Sequence, residues 1–314
     1  MTDTPHRPEI AVPPDGPEAP APLWSRPLLV AVISLGLMTG LGWVYLGLMV
    51  AGMLGGHGGA AALGPGMGVF DLLFGGELPD GLLKALAEAI CGPSFGHHAA
   101  AGPGALLTLV LMWAAMAVAM MLPTAGPMVL AYADLAAVAR RRGERVASPV
   151  ALIAGYTGVW LGFAVVAALL QAGLVRLALL DPAMASASPL FSGAVFIGAG
   201  VYQFSALKYA CVTRCQRPVP FFLVRWSSDP VTVVRLGARQ GLFCLGCCWA
   251  MMLVMFAVGA MNVVWMAILG LVMGAEKIAV TTRFSKAIGV VFLLIGAWLI
   301  GDAVVAQWPA ARPA

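Results

Sequence analysis

Residues 241–262 read GLFCLGCCWAMMLVMFAVGAMN. No charged side chain interrupts this stretch, and a helix of about 20 apolar residues is long enough to cross the hydrocarbon core of a bilayer. A span is therefore expected at 240–259. Working outward, comparable apolar runs occupy 28–51, 105–139, 149–179, 189–210, 262–276 and 287–305, the run at 262–276 being short. Together they predict an all-α fold, a polytopic transmembrane helical bundle of about seven spans. Composition agrees: the chain is 61% hydrophobic and 10% charged, whereas soluble domains carry roughly 25% charged residues. A surface so poor in charge needs lipid as its partner. The net charge of +4 is too small to argue for nucleic acid, and no Lys/Arg stripe with interleaved aromatics is present.

The chain divides accordingly. Residues 1–27 are rich in Pro and Ala and read as a disordered N-terminal tail, too polar for a signal peptide. The first transmembrane helix covers 28–51. Residues 52–104 form a Gly-rich extracytoplasmic loop, in which 80–90 suggests a short amphipathic helix at the membrane surface. Residues 105–305 make a metal-binding transmembrane bundle, and 306–314 a C-terminal tail. Orientation follows from the basic loops, which stay cytoplasmic. The first holds Arg140, Arg141, Arg142 and Arg145. The second runs from Lys208 to Arg239 with Arg214, Arg217, Arg225 and Arg235, and the third holds Lys277, Arg283 and Lys286. Alternation then places the N-terminus in the cytoplasm, and 52–104 and the C-terminus outside.

The chemistry concentrates in 202–277. Cys211 and Cys215 are four apart, so a continuing helix puts both thiols on one face. Cys244, Cys248 and Met252 form one helical row; Cys247, Met251 and Met255 form the adjacent one. Thiolates and thioethers are soft donors that select Cu(I) among other soft ions. On the cytoplasmic side thiols stay reduced, which suits metal binding better than disulfides. The competing reading is that Cys and Met act as apolar filler.

Met112, Met116 and Met120 form another row in the second run, with Met121 beside them and Met128 beyond Pro123 and Pro127. This row reads as a thioether path or as flexible packing at a proline kink. Charged residues within spans are functional candidates. Glu276 and Lys277 end the sixth run and Lys208 lies near the end of the fourth. Glu276 is expected either to pair with Lys208, as an interfacial anchor of two helix ends, or to neutralise a bound cation. In the outer loop His57, Cys91, His97 and His98 follow no familiar ligand spacing.

Catalytic signatures are missing from the sequence. GPGMG at 64–68 lacks the Lys-Ser/Thr of a phosphate loop. There is no HExxH and no GxSxG, and no large soluble domain of the kind an ATP-driven pump requires. The chain therefore reads as a non-enzyme, and any transport is passive, coupled to an ion gradient or driven by a partner.

Three blocks, LMWAAMAVAMMLPTAGPM at 111–128, YQFSALKYACVTRCQRP at 202–218 and GARQGLFCLGCCWAMMLVMFAVGAMNVVWMAILGLVMGAEK at 237–277, resemble a known family. It is the bacterial family described as predicted metal-binding integral membrane proteins, formerly a domain of unknown function. The resemblance covers roughly 105–305. It implies the inner membrane and an association with copper chaperone activity, supplying copper to tyrosinase-type enzymes. Carried over, its metal residues are Cys211, Cys215, Cys244, Cys247 and Cys248. Met116, Met120 and Met121 match its Met-Pro block, and Glu276 and Lys277 its terminal pair. Gln216 stands between Cys215 and Arg217, where the family pattern has Arg directly after the Cys.

The leading expectation is a membrane protein that binds Cu(I) and delivers or translocates it to a cuproenzyme. A membrane thiol oxidoreductase is the second, with Cys215 or Cys248 as attacking thiolate and two disulfides as its signature. A structural or assembly subunit is the third. Oligomeric state is left open by the sequence.

Overall fold

The computed structural model describes residues 26–54, 64–74, 103–180, 186, 188–279 and 281–307. The N-terminal tail up to residue 25, the 80–90 segment, His57, Cys91, His97, His98 and the last seven residues lie outside the described residues. In chain order the helices are α1 (Arg26–Leu54), α2 (Gly68–Phe74), α3 (Pro103–Met121), α4 (Gly126–Arg141), α5 (Pro149–Arg176), α6 (Pro189–Tyr202), α7 (Ala206–Gln216), α8 (Pro218–Val224), α9 (Pro230–Leu253), α10 (Met255–Val258), α11 (Val263–Ile278) and α12 (Thr282–Gln307). A 3-10 turn, Pro123–Ala125, joins α3 to α4. Among the described residues the architecture is all-helical, with one isolated bridge between Leu180 and Ser186.

Five helical stretches are long and apolar enough to cross a membrane: Leu28–Leu48, Gly104–Met121, Pro149–Arg176, Pro230–Val258 and Thr282–Ala306. Counting the α6–α7 pair as one bent span makes six. The expectation of about seven spans is met to that extent. The remaining candidate, α11, has 16 residues. At 1.5 Å per residue it is about 24 Å long, short of a hydrocarbon core of about 30 Å.

Three boundaries differ from the sequence reading. The 105–139 run is interrupted at Pro123 and Pro127, as expected of residues that remove backbone donors, and forms two helices joined by the 3-10 turn. Its apolar span ends at Met121. The 189–210 run stops at Tyr202, and the chain turns by 65° into α7. Ser205 restarts the helix by accepting a hydrogen bond from the Lys208 backbone N–H at 3.1 Å. The helix expected from 240 begins ten residues earlier, at Pro230. There Asp229 caps it, accepting from the Thr232 N–H at 2.8 Å and its hydroxyl at 2.7 Å. Those bonds from Thr232 hold the Asp229 carboxyl below its usual range. A proline in the first turn completes this start, because its missing N–H would have had no partner there.

The helical stretch Pro230–Val258, which carries most of residues 241–262, is the central one. In Pro230–Val258, 67% of the most apolar window is buried, against 17% in Leu28–Leu48. It lies directly on α5. A Cβ at Gly155 would land on the Val234 carbonyl, and one at Gly237 on the Leu152 carbonyl. Small residues at both crossings let the two backbones touch. Gly259, at φ 102°, then turns the chain away after α10. Asn262 caps α11 by accepting from the Trp265 N–H at 3.1 Å, and donates to the Pro65 carbonyl at 2.9 Å. The GPGMG segment is thereby fastened to the start of α11.

Candidate metal centre

Helical spacing alone brings three thiols together. Residues three and four apart share a helix face, and α9 places Cys244, Cys247 and Cys248 with their sulfurs all within 4.8 Å of one another. The Sγ atoms of Cys247 and Cys248 are 3.2 Å apart. All three residues are buried, at 1–2% exposure. A metal–thiolate bond of about 2.3 Å, the length found for zinc, puts three sulfurs about 4 Å apart around a trigonal ion. The triad fits that requirement with small side-chain adjustments.

Two further thiols come from α7. Cys211 Sγ rests against Gly246, where an added Cβ would come within 2.6 Å of it. Cys215 stands beside Cys247 and interacts with its thiol. Both are on α7, as the four-residue spacing predicted, but they meet α9 at different residues. All five described cysteines are free thiols.

Two buried ammonium groups flank the triad. Lys208 donates to Glu276 Oε2 at 2.8 Å and to the Cys247 carbonyl at 3.2 Å. The Lys208–Glu276 pair forms as the sequence suggested, but it is internal rather than interfacial, with side chains 0% and 2% exposed. The other carboxylate oxygen, Oε1, is buried without a hydrogen-bond partner. Gln216 steadies this corner by donating to the Glu276 and Ala279 carbonyls at 2.8 and 2.6 Å.

Lys277 points elsewhere. Its Nζ lies 2.9 Å from Cys244 Sγ and donates to the Thr124 hydroxyl. Successive helical residues are about 100° apart around the axis, so Glu276 and Lys277 reach different neighbours. Lys208 and Lys277 carry two positive charges against the one carboxylate of Glu276. The sulfur of Cys244 is the group in contact with Lys277 that can supply the balancing negative charge.

Tyr156 and Thr124 complete the site, and neither stood out in the sequence. The Tyr156 hydroxyl lies 2.9 Å from Cys244 Sγ and donates to the Met121 carbonyl at 3.1 Å. Thr124 donates to the same carbonyl at 2.7 Å. The proline break frees that carbonyl, and two hydroxyls satisfy it. A Tyr within an apolar span and a Thr between two prolines were the available signals, since polar groups at membrane depth need partners. Tyr156 is seven residues into α5, which sets the site about 10 Å along the axis from that helix end.

The five methionines expected at the site are in the core: Met116, Met120, Met121, Met251 and Met255 are each at most 2% exposed. Met121 touches the site through its carbonyl. Met120 lines a cleft beside Thr124 and Lys277. Met116, Met251 and Met255 share the surrounding core cluster. Trp113, midway along α3, meets Phe256 of α10, ring centroids 5.1 Å apart.

A family model described as a copper chaperone (PpoB2) matches residues 110–299, more than half of the chain. No curated protein and no solved structure matches. The matched region contains every described cysteine, both buried lysines and the Met rows. The chain belongs to the copper chaperone family.

Proposed function

We propose that this chain is an integral membrane protein of the bacterial inner membrane that binds Cu(I) and hands it to a cuproenzyme. The ligands are the thiols of Cys244, Cys247 and Cys248. The observation that carries this reading is the buried triad of sulfurs within 4.8 Å of one another, in a chain of a copper chaperone family. Soft sulfur donors prefer Cu(I). Cys215 and Cys211 receive or supply the ion by thiol exchange in this reading, which their packing against α9 supports. Met116, Met120, Met121, Met251 and Met255 carry it onward as weak thioether sites, since passage requires sites that also release. Glu276 balances charge at the centre. The role is non-catalytic, with the N-terminus and the first two basic loops cytoplasmic.

The test is copper content after loading the reduced, purified chain with Cu(I), beside a variant with all five described cysteines changed to Ser. Retention by the native chain and loss by the variant is the expected result. Equal copper in both would overturn the Cys site. Because bound thiols must give up their protons, copper retention is also expected to weaken as pH falls.

A further inference from the structure

A fully buried thiol triad needs a way in. A cleft of about 610 Å³ lies between the proline break after α3 and the flank of α11, with Trp43 of α1 at its side. Met120, Thr124, Gly270, Gly274 and Lys277 are among its lining residues. Lys277 lines this cleft, and its Nζ joins the cleft-lining Thr124 hydroxyl to the Cys244 sulfur.

We infer that Cu(I) reaches and leaves the triad through this cleft, with Lys277 as a displaceable counter-ion that guards Cys244. The inference rests on the copper reading above. The ammonium and Cu(I) carry the same unit charge, so an incoming ion can take the place of Nζ at the sulfur without adding charge to a buried site. Lysine suits the task because its charge sits on a flexible four-carbon stem with rotatable donors. Lys277 is in the last turn of α11, and its stem lets the ammonium swing back into the cleft. Met120 offers the first thioether that a passing ion meets. Copper stays monovalent throughout; the Cys244 thiolate exchanges its ammonium contact for the metal without losing a proton, and Cys247 and Cys248 each release one proton as their sulfur–metal bonds form.

The cleft is kept open by small residues that have room for larger ones. A Cβ at Gly270 would meet Met120 at 3.8 Å, and one at Gly274 would meet Thr124 at 3.8 Å, both ordinary contacts. Gly270→Leu and Gly274→Leu therefore fill the cleft from the side without touching a thiol. The full chain and both variants would be loaded with Cu(I) supplied as its acetonitrile complex. Copper content would be read at equilibrium, and the rate of removal by bathocuproine disulfonate would then be followed. Lys277→Gln would be run alongside.

The expected result is unchanged copper content in the two leucine variants with removal slowed at least tenfold, and faster removal in Lys277→Gln. Native rates in a leucine variant that still holds copper would overturn the cleft as the route. If one leucine variant does not fold, the other decides. If neither folds, Lys277→Gln decides, and a native rate there overturns the guard. A native chain that binds no copper would instead defeat the copper reading itself.

Discussion

Lys277 and Cys244 meet inside the protein, Nζ to Sγ at 2.9 Å, although 33 residues separate them in the chain. This contact joins a cation to a candidate metal ligand. Its disruption should therefore affect the empty and loaded protein differently. Lys277→Met removes the ammonium and keeps much of the apolar stem. The empty protein is expected to lose thermal stability, while the Cu(I)-loaded protein loses less, because bound copper supplies the charge that Lys277 supplied. Thermal unfolding in detergent with and without Cu(I) measures both. Equal losses in the two states would show that the lysine does not share a role with the metal.

Tyr156→Phe deletes one hydroxyl that touches both the Cys244 sulfur and the Met121 carbonyl. Groups that hold metal ligands in place typically contribute 10- to 100-fold in metal affinity. The variant is expected to fold and to bind Cu(I) about tenfold more weakly. Competition against a chromogenic Cu(I) chelator gives the number. An unchanged affinity would reduce Tyr156 to a partner for the broken helix.

Lys208 and Glu276 form an ion pair without access to solvent. Breaking such a pair by removing one partner costs about 3–5 kcal/mol, whereas replacing both with apolar groups is often close to neutral. Glu276→Leu alone is expected to lower stability severely, and Lys208→Met with Glu276→Leu to restore most of it. Copper content of the restored double variant then separates structure from chemistry. Loss of copper there would assign Glu276 a part in balancing the bound ion.

Gly237→Ala tests the seam between α5 and α9. The added Cβ would fall on the Leu152 carbonyl, backbone that cannot rotate away. Overpacking of this kind costs about 1–3 kcal/mol. Because α9 carries the triad, copper retention should fall along with thermal stability. A variant as stable as the native chain would mean that the two helices separate more easily than their packing indicates.

Much of this protein was legible locally. Apolar run length marks helices because backbone groups in lipid must be satisfied within the segment, and the runs at 28–51 and 287–305 lie in α1 and α12, while that at 149–179 overruns α5 by three residues. The triad was readable because Cys244, Cys247 and Cys248 sit three and four apart, a spacing that a single helix converts directly into proximity.

Where the chain breaks was harder to read. Pro123 and Pro127 announced an interruption, but not that the apolar span would end at Met121. Nothing as strong as proline marked the 65° turn after Tyr202. That turn swings Cys211 and Cys215 onto a separate limb, α7, that faces α9.

The amino-acid sequence by itself determined the helical class, the soft-donor triad and the interruption at Pro123 and Pro127, because each depends on neighbours within one helical turn or one span. Only the tertiary structure decided which groups surround the triad. Tyr156 reaches Cys244 across 88 residues and Lys277 reaches Thr124 across 153. Such contacts depend on how α5, α9 and α11 pack, and periodicity along one helix carries no information about a partner on another.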